Sequence, residues 1–222
     1  EMLTRDWSSD VCSSDLRVGS AFRMVSYGTS TASTDKIKES VEEYKKSVDD
    51  LKDMKALRDK DVKQKYDDFI KQNNEFTTMV GDLADASDEL LETTKNCRTA
   101  TTFPRFSSDR SKLLENYDKT VGSCVSAVKK LAKVKSQLLS EEAKKLVDAF
   151  DEQRGIVEEM QKAHDAGDAS GLSAAASKLY RQLTKFKAGD APKKLNEAFQ
   201  KAEVNSQLNA LGRILTEKAN QS

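Results

Sequence analysis

The fold is decided by residues 62–90, which read VKQKYDDFIKQNNEFTTMVGDLADASDEL. Apolar side chains recur there every seven residues, at Val62, Phe69, Phe76, Leu83 and Leu90. A period near 3.5 residues places these side chains on one face of an α-helix. The stretch therefore predicts an amphipathic helix of the coiled-coil type.

The seven-residue series continues on both sides of this stretch, with Val41 and Val48 before it, a single lapse at Lys55, and Cys97 after it. A second series fills the complementary heptad position: Ile37, Tyr44, Leu51, Met79 and Ala86. Together they predict one helix over residues 34–97, which would span about 95 Å if unbroken.

Two further features of the sequence indicate where this helix begins and where it is interrupted or exposed. Ser33 or Thr34 is expected as the N-cap, because a hydroxyl oxygen can accept a bond from the first helical turn. The second series is weakened by Arg58, Lys65 and Gln72. The helix therefore either turns back near residues 58–61 or exposes its middle to solvent.

Further helices are predicted at residues 108–139, 141–165, 170–188 and 191–220. The first begins at Ser107 or Ser108, after a loop centred on Phe103-Pro104, and Ser140 is expected to be either a fresh cap or a kink between the first and the second. The motif Ala166-Gly-Asp-Ala169 recurs as Ala188-Gly-Asp-Ala191. In each copy, Gly can end one helix in a left-handed conformation and Asp can cap the next.

These elements predict an all-α fold, an antiparallel helical bundle with long heptad-patterned, coiled-coil-like helices, as a single domain over residues 34–222. If helix ends at Cys97 and Asp109 close the Phe103-Pro104 loop symmetrically, Cys124 lies near Asp82. The two sulfurs would then be about 20 Å apart, so both thiols are expected to be free.

The first residues look foreign to the rest of the chain. Residues 1–16 resemble a translated sequencing-library adapter, whose bases encode Asp6 to Leu16 codon for codon, and we interpret them as a non-native artefact. Residues 17–33 are expected to be a disordered N-terminal segment. The product is expected to be cytoplasmic if Met24 is the initiator, and its location is open if the N-terminus is truncated.

The sequence carries no recognisable reaction motif. GxGxxG, GxxxxGK[ST], HExxH and CxxC are all absent. The sole histidine, His164, falls on an apolar stripe in the last turn of a helix, where the helix dipole favours an imidazolium. Paired acids such as Glu158-Glu159 indicate a solvated face. We therefore predict that the protein is not an enzyme and has no catalytic, cofactor-binding or metal-binding residues.

Charge is unevenly distributed along the chain. The 37 bases and 37 acids cancel, and removal of residues 1–16, with one base and four acids, leaves a net charge of about +3. Acids cluster at residues 82–92 and bases at residues 105–135. Pairing between these stretches is the favoured interpretation, and a nucleic-acid or anionic-membrane face is the alternative.

One partial family resemblance is present. The segment Leu139-Ser-Glu-Glu-Ala-Lys-Lys-Leu-Val147, followed by Arg154, Ala166-Gly-Asp168, Leu172 and Leu195 to Phe199, is similar to the core of nematode fatty-acid- and retinol-binding proteins. The resemblance implies a secreted helical carrier that holds an apolar ligand inside a bundle. It assigns no site residues.

The functional expectation is a non-enzymatic helical scaffold or protein-interaction module that binds a protein partner or self-associates. A lipid or apolar-ligand carrier is the alternative, and a nucleic-acid-associated or capsid-like protein is the second alternative. No stretch is apolar for the length that a membrane span needs, so a soluble chain without a transmembrane segment is expected.

Overall fold

The computed structural model describes residues 33–98, 110–185 and 204–220, together with Lys194, Glu197 and Ala198. The described residues form α-helices and short 3₁₀ turns without any strand, which confirms the all-α prediction. The α-helices are α1 (Thr34–Asp49), α2 (Lys60–Asp85), α3 (Ser87–Cys97), α4 (Leu113–Leu131), α5 (Gln137–Asp165), α6 (Ala169–Lys185) and α7 (Asn205–Asn220).

Several sequence predictions fall outside the described residues. These are the adapter-like residues 1–16, the N-terminal segment up to residue 32, the Phe103-Pro104 loop with the caps at Ser107 and Ser108, and the second Gly-Asp motif at residues 188–191.

The chain divides into two compact units, where the sequence led us to expect one domain. Unit 1 contains α1, α2 and α7, and unit 2 contains α3, α4, α5 and α6. The boundary between α2 and α3 falls at Ala86, inside the heptad series. The periodicity runs across this boundary, so it could not reveal the division.

In unit 1, α1 begins where the sequence predicts. Ser33 is the N-cap, and its Oγ accepts a hydrogen bond from the backbone N–H of Lys36 at 3.4 Å. The chain then turns back through two 3₁₀ turns, Asp50–Asp53 and Lys55–Arg58. An unbroken helix over residues 34–97 is therefore wrong, and the turn begins about eight residues before the predicted position.

The turn lets α1 pack antiparallel on α2. Tyr44 contacts Phe76 edge to face, with ring centroids 5.2 Å apart, and its hydroxyl donates a hydrogen bond to Oδ1 of Asn73. Burial explains the heptad pattern, since the interior holds Val41, Val48, Val62, Phe69, Phe76 and Leu83. Full burial of such a side chain stabilises a fold by about 1.5–3 kcal/mol.

Helix α7 covers the same core from the other side. Leu208, Leu211 and Leu215 are buried at the three- and four-residue spacing expected of one helix face. Near the end of α7, Lys218 Nζ lies 3.0 Å from Asp59 Oδ2 and 3.3 Å from Asp61 Oδ2. Because Asp59 is the N-cap of α2, these contacts fix α7 antiparallel to α2.

In unit 2, the turn between α4 and α5 differs from the prediction. Helix α4 ends at Leu131, residues 132–136 form the turn, and Ser140 lies inside the first turn of α5. The predicted separation of helices at Ser140 is therefore wrong. The apolar stripe lapses at Lys135, and this lapse marks the turn, while Leu139 is already buried in α5.

The turn between α5 and α6 follows the prediction. Gly167 has a positive φ of 70°, and the Asp168 N–H donates to the Ala163 carbonyl at 2.8 Å, as in a Schellman motif. Oδ1 of Asp168 then accepts the Gly171 N–H at 2.8 Å, which caps α6. The assigned roles of this glycine and aspartate are confirmed.

A disulfide bond joins Cys97 to Cys124, with their Cα atoms 4.6 Å apart. The prediction that Cys124 lies near Asp82 and that both thiols are free is therefore wrong. Helix α4 does run antiparallel to α3, since Lys130 Nζ also lies 2.9 Å from Oε1 of Glu92. The register differs from the predicted one by about four helical turns, because Cys124 lies beside Cys97, at the end of α3, and not beside Asp82.

Candidate functional site

His164 lies in the last turn of α5, as the sequence predicts. Its ring is partly buried, and Nδ1 lies 3.3 Å from Oδ1 of Asp165. Hydrogen bonds from Gln161 and then from His164 lower the pKa of the Asp165 carboxyl. The histidine is therefore one member of a polar cluster at a helix end.

Gln161 connects this cluster to the start of α4. Its Oε1 accepts the Leu113 N–H at 2.7 Å, and its Nε2 donates to the Ser111 carbonyl at 3.1 Å and to Asp165 Oδ1 at 2.9 Å. Helix α4 has no side-chain cap of its own. A side chain from α5 therefore satisfies backbone groups that a helix start leaves unpaired.

Tyr117 and Gln153 form a buried polar pair between α4 and α5. The Tyr117 hydroxyl lies 3.3 Å from both the Phe150 carbonyl oxygen and Oε1 of Gln153. Burial raises the pKa of Tyr117 well above its ordinary value, and the nearby carboxylate of Asp118 adds to the shift. The neutral phenol therefore acts as a structural hydrogen-bond donor.

Three buried polar atoms have no hydrogen-bond partner among the described residues: Thr77 Oγ1, Thr93 Oγ1 and Gln182 Oε1. Thr93, on α3, and Gln182, on α6, belong to unit 2. An unsatisfied buried polar group costs about 1–3 kcal/mol. Each of these atoms is therefore a local cost to the stability of its unit.

The acidic pairs predicted to be solvated lie in surface ion pairs. Asp118 receives two hydrogen bonds from Arg154, at 2.9 and 3.0 Å, and Glu158 receives one from the same guanidinium at 2.5 Å. Glu159 pairs with Lys178 at 3.0 Å. Such exposed pairs contribute little stability individually, and nothing in their geometry resembles a paired-carboxylate reaction centre.

The basic segment is only partly neutralised within unit 2. Lys130 pairs with Glu92, and Lys112 lies 3.9 Å from Glu115. Lys129, Lys133 and Lys135 are exposed and form no ion pair with any residue that the structure describes. The interpretation that acidic and basic stretches pair with one another therefore holds for Lys130, whereas the exposed Lys119, Lys129, Lys133 and Lys135 have no ion-pair partner among the described residues.

The described residues contain neither a metal-binding cluster nor a membrane-spanning helix. No group of three or more His, Cys, Asp or Glu side chains is arranged to hold a metal ion there. Within the same residues, no helix combines the length and apolar character that crossing a membrane requires.

Comparison with known proteins identifies no relative. No model of a known protein family matches the chain, and neither the curated proteins nor the solved structures include a significant match. The likeness of residues 139–199 to nematode fatty-acid- and retinol-binding proteins therefore stays a prediction.

Proposed function

We propose that the protein is a non-enzymatic helical interaction module that works in an oxidising compartment. The observation that carries this proposal is that the side chains best suited to chemistry have structural bonds: Cys97 with Cys124, His164 with Asp165, and Tyr117 with Phe150 and Gln153. Side chains held in this way stabilise the fold. The structural use of these side chains supports a binding role rather than a catalytic one.

The distribution of apolar surface indicates how a partner would bind. The heptad series of α1 and α2 is buried inside unit 1, so it already has its packing partner. Among the described residues, the exposed large apolar side chain is Tyr180, which is 62% exposed. A partner, or a second copy of the chain, would therefore contact a mainly polar and charged surface.

The disulfide bond supports the choice of compartment. Structural disulfides persist in oxidising environments and are rare in the cytosol. The expectation of a cytoplasmic protein depended on Met24 as the initiator. The bond between Cys97 and Cys124 favours secretion or another oxidising location instead.

Native mass spectrometry of the protein, extracted gently and without reductant, tests this function. The proposal predicts a chain that lacks two hydrogen atoms because of the disulfide, together with a second protomer or a bound macromolecule. A protein in which both Cys97 and Cys124 can be alkylated, or a strictly monomeric chain that turns over a substrate, would contradict it.

A carrier of an apolar ligand is the second candidate function. It is favoured by the buried oxygens of Thr93 and Gln182 in unit 2, each of which has no hydrogen-bond partner among the described residues, and of which Thr93 Oγ1 is the one we propose to bind the polar end of such a ligand. A fluorescent fatty acid should then bind at about micromolar affinity with blue-shifted emission. Binding should weaken in Thr93→Val, and an absent shift at saturating protein would remove this candidate.

A further inference from the structure

We propose that the turn between α4 and α5 binds a sulfated polysaccharide. We call this surface the lysine corner, and it consists of Lys129, Lys130, Lys133 and Lys135. The inference rests on the proposed function, because it names the class of partner that an interaction module in an oxidising compartment would recognise.

The lysine corner concentrates positive charge at one end of an antiparallel helix pair. Lys129 and Lys130 lie in the last turn of α4, and Lys133 and Lys135 lie in the turn itself. All four are exposed, and Lys130 alone has a carboxylate partner within the described residues, Glu92. The corner therefore presents three uncompensated ammonium groups within seven residues.

The chemistry of the lysine corner fits a flexible polyanion. Lysine ammonium groups act as mobile point charges, and the corner contains no arginine to form the planar, bidentate contacts typical of specific phosphate recognition. Short lysine-rich segments of this kind are characteristic of nucleic-acid or heparin binding. The ligand should therefore carry closely spaced negative charges without demanding a fixed geometry.

Two features of the lysine corner argue against an anionic membrane and against a single-stranded nucleic acid as the partner. Leu131 is buried and Val134 is half-buried, so neither is presented for insertion into a bilayer. No aromatic residue lies within residues 129–135, whereas single-stranded nucleic acids are held largely by base stacking on aromatic rings. A ligand that binds through its charges alone remains favoured.

The disulfide bond indicates the compartment in which the protein works, and the compartment determines which polyanions are available to the lysine corner. Cys97 and Cys124 lie in the same unit as the lysine corner, so the environment that preserves their bond is the one in which the corner works. Outside the cell, sulfated polysaccharides supply dense negative charge, while nucleic acids are mainly intracellular. The compartment therefore favours a sulfated glycan.

The test compares two triple variants of the full chain by titration of a fluorescent heparin oligosaccharide. Lys129, Lys133 and Lys135 are replaced by Gln in the first, and the exposed lysines Lys60, Lys65 and Lys71 of α2 in the control. Both variants lose the same charge. The corner variant should lose about tenfold or more in affinity and reduce the slope of log affinity against log salt by about 2–3, and the control should change little.

Two results would overturn the proposal: no heparin binding by the wild type, or equal losses in both variants. Desulfated heparin should bind much more weakly than heparin. Tighter binding of duplex DNA or phosphatidylserine vesicles than of heparin, with the same dependence on the corner, would assign the site to that ligand and reject the glycan. None of these outcomes changes the mass and thiol content that test the proposed function, so the two failures are distinguishable.

Discussion

Cys97, the last residue of α3, is bonded to Cys124 in α4, and about one and a half turns nearer the start of α3, Glu92 pairs with Lys130. These two contacts hold an eleven-residue helix antiparallel to its partner. An isolated helix of that length is marginal in water. The covalent bond is therefore a main reason that α3 stays helical and packed on α4.

Reduction of the disulfide should destabilise unit 2. The bonded residues are 27 positions apart, and closing a loop of that size stabilises a fold by about 3.5 kcal/mol in the chain-entropy description. Urea unfolding followed by far-UV circular dichroism, with and without a phosphine reductant, measures the change. A Cys97→Ala/Cys124→Ala variant should be insensitive to the reductant, and an equal response from that variant would show that the effect has another origin.

Tyr44→Phe should destabilise unit 1 by about 1–3 kcal/mol, although it retains the ring. The substitution removes the donor to Oδ1 of Asn73, which is 4% exposed, and an unsatisfied buried acceptor is costly. The edge-to-face contact with Phe76 is preserved. Chemical denaturation measures the loss, and the double variant Tyr44→Phe/Asn73→Leu should recover part of it if the unpaired carbonyl is the cause.

Gln161→Leu should destabilise unit 2 by about 1–3 kcal/mol. Leucine has a similar volume but leaves the Leu113 N–H and the Ser111 carbonyl without their side-chain partner. Gln161→Glu is the control for the Leu113 bond alone, because its carboxylate can still accept the Leu113 N–H but cannot donate to the Ser111 carbonyl or to Asp165. Hydrogen exchange should show faster opening of the first turn of α4 in the leucine variant, and equal exchange in both variants would argue against this capping role.

Asp59 should make unit 1 sensitive to acid. The hydrogen bond from Lys218, followed by the backbone N–H of Val62, lowers the pKa of the Asp59 carboxyl in the folded state. The resulting stabilisation is present above the unfolded pKa of about 3.9 and is lost as the pH falls through the lower folded pKa.

Urea midpoints measured between about pH 5 and pH 2 test this dependence. Asp59→Asn keeps an oxygen that can cap α2 and removes the charge. The urea midpoint of this variant should therefore fall less than that of the wild type as the pH is lowered. Lys218→Gln should also reduce the fall of the urea midpoint at low pH. The same pH dependence of the urea midpoint in all three proteins would show that the Asp59–Lys218 contact does not contribute to stability.

The helical class and much of the unit 1 core could be predicted from sequence because heptad spacing reports directly on burial. Val62, Phe69, Phe76 and Leu83 are all buried at the predicted positions. Gly167 could be assigned because few residues other than glycine adopt a positive φ at low cost. The start of α1 at Ser33 followed from the chemistry of N-caps.

The register between α3 and α4 could not be predicted in this way. Sliding one amphipathic helix along another by whole turns keeps the apolar stripes in contact, so periodicity allows both the Cys124–Asp82 and the Cys124–Cys97 pairing. The available signal was that both cysteines lie on apolar stripes. The lysine corner was likewise visible only as a charge run, because its exposure depends on where α4 ends.

Peptide mapping of the intact, unreduced protein after blocking of free thiols tests the account most directly. We expect a linked pair of peptides that contains Cys97 and Cys124 within one chain and that separates on reduction. Both residues recovered as blocked thiols in the freshly isolated native protein would contradict the disulfide bond between α3 and α4. The same result would contradict the oxidising compartment and the choice of ligand for the lysine corner.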